Sequence, residues 1–126
     1  MYHLGLAILR IGFGTFMLAG HGWSKLISFE NRFHSFSDPL GVGNEVSYIL
    51  AVFAEVVCSV LVVLGLFTRF AVIPLIITML VAAFLIHNDD PWSKQEFALM
   101  YAITFTTILF TGPGKYSLDK VYRRKM

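Results

Sequence analysis

Apolar residues in this chain gather into four long runs, residues 4–26, 47–67, 70–87 and 96–111, each interrupted by only a few polar side chains. At about 16–23 residues, each run approaches the roughly 20 that a helix needs to cross a hydrocarbon core about 30 Å thick. The pattern predicts an all-α fold, a four-helix transmembrane bundle with a short amphipathic or irregular cytoplasmic tail. Residues 1–126 are expected to form a single membrane domain, because the connections are short and the sizeable loop spans only residues 27–46. A secretory signal could mimic the first run. No basic segment precedes it and no small-residue cleavage site follows, so a mature helix is expected there.

Turn chemistry supports these limits. Asp38-Pro39-Leu40-Gly41-Val42-Gly43 combines a fixed φ with glycines that permit positive φ, and Asn44 is the expected N-cap of the second helix. Gly112-Pro113-Gly114 predicts the end of the fourth. Pro74 is expected in the first turns of the third helix or at a modest kink.

Composition then excludes a soluble domain. Hydrophobic residues make up 56% of the 126 positions and charged residues 14%, against about 45–50% and about 25% in ordinary globular chains; mean hydropathy is +0.69. The tail carries Lys115, Lys120, Arg123, Arg124 and Lys125 against Asp119, and Arg69 lies in the link between the second and third runs. The other two loops are acidic or balanced, with Glu30, Asp38 and Glu45 against Arg32, and Asp89 and Asp90 against Lys94. By the positive-inside rule both termini of this multi-pass protein are expected in the cytoplasm, with Trp23 and Trp92 at the outer interface. The basic tail accounts for a pI near 8.8, and a solvated, lipid-facing tail needs no nucleic-acid partner.

The candidate chemistry lies in the few polar residues of the runs. Glu55 interrupts the second, where a carboxylate must be paired, protonated or facing a polar cavity. In the first run, Arg10 and His21 are eleven residues apart, within about 20° of one direction at about 100° per residue, and Lys25 follows one turn later. Gly14 and Met17 share that stripe, and Gly12, Gly14, Ala19 and Gly20 would admit a close neighbour. Glu55 is expected about 12 Å below the outer surface, with His21, Lys25, His87 and Glu96 in the same half and Arg10 deeper. The candidate ligand-binding set is therefore Arg10, His21, Lys25, Glu55, His87 and Glu96, with Glu55 and His21 the candidates for catalysis.

Plainer roles compete at each position. Lys25 could snorkel, Glu96 could close a capping box with Ser93, His87 could be an interface residue, and a Glu55 ion pair could serve only to hold helices in register. The threonines of the fourth run are expected to bond locally or across helices. A single cysteine, Cys58, excludes a dithiol cycle within one chain. No phosphate loop, nucleophile elbow or zinc signature is present, and no metal site is expected.

The stretch Arg10-Ile-Gly-Phe-Gly-Thr-Phe-Met-Leu-Ala-Gly-His-Gly-Trp-Ser-Lys-Leu26 resembles the opening of the DoxX family of small bacterial membrane proteins. Asp38-Pro39-Leu40-Gly41, Ala54-Glu55, Leu64-Gly65-Leu66-Phe67-Thr68-Arg69, Glu96-Phe97-Ala98-Leu99-Met100-Tyr101 and Thr111-Gly112-Pro113-Gly114-Lys115-Tyr116-Ser117-Leu118-Asp119 extend the likeness over nearly the whole chain. The resemblance implies four membrane helices. By analogy with a subunit of a thiosulfate:quinone oxidoreductase it also implies a redox role, and it marks Arg10, His21, Lys25, Glu55 and Glu96. A quinone-like ligand, a partner oxidoreductase subunit and a homo-oligomer are the implied associations. A non-enzymatic scaffold, or a small-solute transporter without inverted repeats, are the rival functions.

Overall fold

The computed structural model describes residues 2–27, 41–86 and 91–125, and among them the chain forms helices without strands. The elements are α1 (Tyr2–Ile27), α2 (Asn44–Leu64), α3 (68–86), α4 (Trp92–Thr111) and a short α5 (Leu118–Lys125). The first three are long and apolar enough to cross a membrane. α4 has 20 residues, but Lys94, Gln95 and Glu96 in its first turns lower its hydropathy. The outward surface suits lipid, with Phe70 76% and Phe110 78% exposed. In water, such a surface would be an aggregation liability.

Successive long helices run antiparallel. The end of α1 meets the start of α2, where the Tyr48 hydroxyl donates to the Lys25 carbonyl. The start of α4 meets the end of α3, where Gln95 Nε2 donates to the Ala83 carbonyl at 3.3 Å. α4 packs chiefly along α3, and Met17, Val62, Leu75, Phe105 and Ile108 fill the shared core with almost no exposure.

Arg10 organises the opposite end. It is 1% exposed, yet its partners are not acids. Nη1 donates to the carbonyls of Val62 and Val63 at 2.8 and 2.6 Å, and Nη2 to that of Tyr116 at 2.5 Å. Those α2 carbonyls lie in its last turn, where intrahelical partners run out, so one guanidinium ties α1, α2 and the segment before α5. Asp119 completes the knot by accepting from Phe67 N at 2.8 Å and Thr68 N at 3.0 Å, which caps α3. Phe67 is held there in the left-handed region at φ 49°, a conformation that costs a non-glycine residue about 1–3 kcal/mol and persists only where surrounding contacts impose it.

Several boundaries depart from expectation. α2 begins at Asn44 with Gly43 in the cap position, so Asn44 is the first helical residue and not the N-cap. α3 begins at Thr68, which puts Pro74 inside the helix. α4 begins at Trp92 behind Pro91, with no side-chain cap, so the Ser93–Glu96 capping box does not form. Gly112, at φ 77°, ends α4 as expected. Thr104 and Thr107 bond to carbonyls four residues back, Met100 and Ile103. His87 and Asp38-Pro39-Leu40 lie outside the described residues.

α1, α2 and α3 each contain one π-helical segment, at Leu18–Gly22, Phe53–Cys58 and Ala82–Ile86 respectively. The segment in α1 adds a residue to the turn. Gly22, and not His21, becomes the buried member of the stripe that begins Leu6, Ala7, Arg10, Gly14, Met17. Of the small residues expected at a contact, Gly14 faces Val63, whereas Gly12 and Gly20 have nothing within 4 Å.

These contacts separate two glycines of α1 and of the α2–α3 turn. Gly65 has φ 73°, and a Cβ there would strike Ser117 and lie 2.9 Å from Arg10 Nη1. Gly65→Ala is expected to lower stability by about 1–3 kcal/mol in denaturant unfolding in detergent. Gly12→Ala should be neutral or stabilising by up to about 1 kcal/mol. Equal losses from the two substitutions would refute the interlock at Gly65.

Candidate functional site

Glu55 is the natural centre of the other end of the bundle. It lies eleven residues from the start of α2, about 16 Å along the axis, deeper than the shorter predicted helix implied. Its side chain is 3% exposed, and Oε1 accepts from Lys25 Nζ at 3.0 Å. Lys25, whose side chain is 18% exposed, therefore reaches inward and does not simply snorkel. Two buried ions in this setting stabilise one another only when geometry is good, and the loss of either leaves the other uncompensated.

The backbone brings them together. Gly22 is buried against the Glu55 carbonyl, so closely that a Cβ would overlap it. The two π-helical segments thus meet at the residue pair Gly22 and Glu55, and such bulges are frequent at functional sites. Tyr48, with no exposure, joins the helices about two turns nearer the start of α2 by donating to the Lys25 carbonyl. Ser24 Oγ donates to the His21 carbonyl at 3.1 Å, serving one of the backbone groups near the irregular turn.

Among the described residues four buried side-chain polar atoms lack a hydrogen-bond partner: Arg10 Nε and Thr68 Oγ1 at the other end of the bundle, and two here. Glu55 Oε2 and Ser59 Oγ, about one turn apart on α2, have no hydrogen-bond partner. An unsatisfied buried acceptor costs about 1–3 kcal/mol, so each atom is a point to which a ligand or water hydrogen bond would be drawn.

An aromatic group lies one residue along α1 from the Gly22 contact. His21, next to Gly22, packs edge-on to Tyr101 with ring centroids 5.5 Å apart and planes at 85°. Tyr101 also meets Phe13 edge-on at 5.7 Å and stacks on Phe105 at 6.0 Å. Tyr101 and Phe105 come from α4, Phe13 and His21 from α1, and Glu55 from α2. Tyr101 and Phe105 are buried in the core, and α1 links them to the ion pair: His21 touches Tyr101, Gly22 meets the Glu55 carbonyl and Lys25 binds Glu55 Oε1.

The structure thus brings together Glu55, Lys25 and His21 from the predicted set. Arg10 does not join them: the carbonyls it binds begin at Val62, seven residues or about 10 Å along α2 from Glu55. Glu96 is exposed in the first turns of α4, and His87 is outside the described residues. Sequence reasoning overlooked Tyr48, Ser59 and Gly22 and gave Tyr101 no role. The spacing of Tyr48, Glu55 and Ser59, at intervals of seven and four, was a usable signal for one helix face. The register of Gly22 was hidden by the π turn.

Comparison with known proteins agrees with a small membrane protein. The DoxX family model matches residues 5–88. An uncharacterized protein of Haemophilus influenzae is 32% identical over 127 aligned positions, covering 95% of this chain and 92% of that protein. An uncharacterized membrane protein of Mycobacterium tuberculosis is 32% identical over 82 positions, covering 52% of this chain and 49% of its own length. No solved structure matches.

The ion pair and the helix contact make separable predictions. Lys25→Met is expected to cost roughly 2–3 kcal/mol, below the range for fully buried pairs because Lys25 keeps some exposure. Lys25→Met combined with Glu55→Leu should recover most of that loss in denaturant unfolding, since no buried charge remains. Gly22→Ala should cost about 1–3 kcal/mol by forcing α1 off α2. Additive losses in the double variant would show that the two charges are energetically independent.

Proposed function

The chain thus belongs to the DoxX family, and from that premise we propose that it is an integral membrane subunit of a redox system that holds a quinone-like ring between α1, α2 and α4. The observation that carries this reading is Glu55 Oε2, buried and unpartnered, on a residue whose carbonyl meets Gly22, the chain neighbour of the His21 that packs on Tyr101. In this reading α4 is the fourth membrane span. It buries Ala98, Tyr101, Ala102, Phe105 and Ile108 while Ile103 and Phe110 face outward, and residues 1–126 act as one bundle. Trp23 and Trp92 are exposed at one end and Arg69, Lys115 and Lys120 lie at the other, which fits a protein with both termini in the cytoplasm of a bacterial cell.

The chemistry follows from the donors and acceptors. A quinol hydroxyl would donate to Glu55 Oε2, and Lys25 would steady the charge that develops as a quinone oxygen is reduced. His21 can carry a proton to or from the ring, and the Tyr101 and Phe105 faces supply apolar contact. The electrons would come from a partner subunit.

A second reading is a non-enzymatic scaffold. The Tyr48–Lys25 bond and the Gly22 contact favour it, because they already lock α1 on α2. The two readings part on ligand binding. Titration of the detergent-solubilised protein with a short-chain ubiquinol should show saturable binding, weakened about tenfold by Glu55→Gln, the loss of one charge-assisted hydrogen bond of about 1.4 kcal/mol. Tyr101→Leu should weaken it as well, and Glu55→Gln and His21→Ala should lower quinone reduction in membranes. If ubiquinol binds the variants as it binds the parent and only their unfolding shifts, the scaffold reading stands and the ligand reading falls.

A further inference from the structure

A cavity of about 360 Å³ lies at the Arg10 end of the bundle, between the first turn of α3, the turn after α4 and the start of α5. Its lining is unlike that of the Glu55 site. Arg69, Lys115 and Lys120 converge on it from three separate segments, together with His3 from α1. His3 Nδ1 accepts the Lys115 amide at 3.1 Å, so the imidazole proton sits on Nε2 and His3 is a further donor.

The acid on the cavity wall is already engaged. Asp119 spends Oδ1 on Phe67 N and Oδ2 on Thr68 N, and among the described residues the ion pair is Lys25–Glu55, at the other end. Arg69, Lys115 and Lys120 therefore share a concave space with no ion-paired carboxylate. The wall itself is fixed, because Gly112 admits the Arg69 guanidinium, which a Cβ would approach to 3.1 Å. Beside the cations stand two outward-facing rings, Phe67 and Phe70, the latter 76% exposed.

We propose that this cavity binds the phosphate of an anionic phospholipid, with the headgroup between Arg69, Lys115 and Lys120 and an acyl chain along Phe67 and Phe70. A phosphate group is the shared chemistry of a lipid headgroup and a free anion. The adjoining apolar rings select the lipid, since a soluble anion gains nothing from them. Arg69 supplies planar paired donors for phosphate oxygens and the lysines supply point charges. Clusters of this kind at a membrane surface attract anionic lipids, which are concentrated in the cytoplasmic leaflet. The site is distinct from the ring site at Glu55 and does not depend on it.

The test is native mass spectrometry of the full chain in neutral detergent with equal amounts of phosphatidylglycerol and phosphatidylcholine. One phosphatidylglycerol should be retained in preference to phosphatidylcholine. In Arg69→Gln/Lys115→Gln that preference should fall roughly 30-fold, the effect of two cations at a membrane surface. Because Arg69 packs over Gly112, Lys115→Gln/Lys120→Gln is read in its place if the first pair fails to fold. Inorganic phosphate added in the same detergent should leave the adduct in place. Displacement by inorganic phosphate would assign the site to a free anion and overturn the lipid assignment. Equal retention of both lipids, or an adduct unchanged in the variants, would overturn the site itself. Ubiquinol binding should be unaltered in these variants, so either site can fail alone.

Discussion

The Lys25–Glu55 ion pair, at 3.0 Å, sets how α1 lies on α2. Its attraction is strong because little water screens it, and for the same reason neither partner tolerates being moved away. The surrounding backbone conforms to that requirement. α1 and α2 each abandon regular α-helical bonding at the contact, and Gly22 has no side chain to hold the Glu55 carbonyl at a distance. Tyr48 then fixes the end of α1 from below by its bond to the Lys25 carbonyl. A regular helix pair with a larger residue at position 22 would keep the same charges but set them too far apart.

Arg10 lies on the same helix yet solves a different problem. Its Nη atoms bind the Val62 and Val63 carbonyls in the last turn of α2 and the Tyr116 carbonyl, the Val62 oxygen also accepting the Gly65 amide at 3.1 Å. The result is a rigid end in which Asp119 also holds the cap of α3 and the strained Phe67. Gly65, Phe67 and Asp119 belong to stretches distant in sequence, and their contacts explain why Leu64-Gly65-Leu66-Phe67-Thr68-Arg69 and Gly112-Pro113-Gly114-Lys115-Tyr116-Ser117-Leu118-Asp119 occur in one chain. A fixed end of this kind lets the other end carry irregular helix without loss of the fold.

Much of this was legible in the sequence, for identifiable reasons. Long apolar runs reported the helices because lipid-facing and core-facing sides are both apolar, and Glu55 stood out because a charge in such a run is costly. The inward stripe of α1 was readable as far as Met17, where the helix is regular. Beyond it, the fixed angle per residue failed, since a π turn shifts the register and no local residue preference announced it. Gly12 and Gly20 looked equivalent to Gly14, and Gly22 was passed over, because glycine alone does not say which side of a helix meets a neighbour. Arg10 was grouped with Glu55 because charge suggested an acidic partner, whereas backbone carbonyls are invisible in a sequence. Asn44 and Ser93 offered capping side chains, but the helices begin one residue or more ahead of where those caps would act.

The leftover atoms weigh on the choice between structure and chemistry. An ion pair kept only for register could be exchanged for well-packed apolar residues at little cost or some gain, and a chain that retains it would be expected to satisfy all its polar atoms. Here one carboxylate oxygen is paired and the other is buried without a partner, and Ser59 Oγ repeats the deficit about one turn away. Each such atom costs about 1–3 kcal/mol, of the same order as the gain from the pair's own geometry. Helix irregularity adds to the cost on both sides of the contact. On the proposed reading, a bound molecule would supply the hydrogen bonds that Glu55 Oε2 and Ser59 Oγ lack. The Arg10 end carries a deficit too, since its Nη atoms meet three carbonyls while Arg10 Nε and Thr68 Oγ1 are buried without a partner. What separates the two ends is the chemistry of the open atoms: at Glu55 it is a carboxylate oxygen that can accept, and at Arg10 a guanidinium N–H and a hydroxyl.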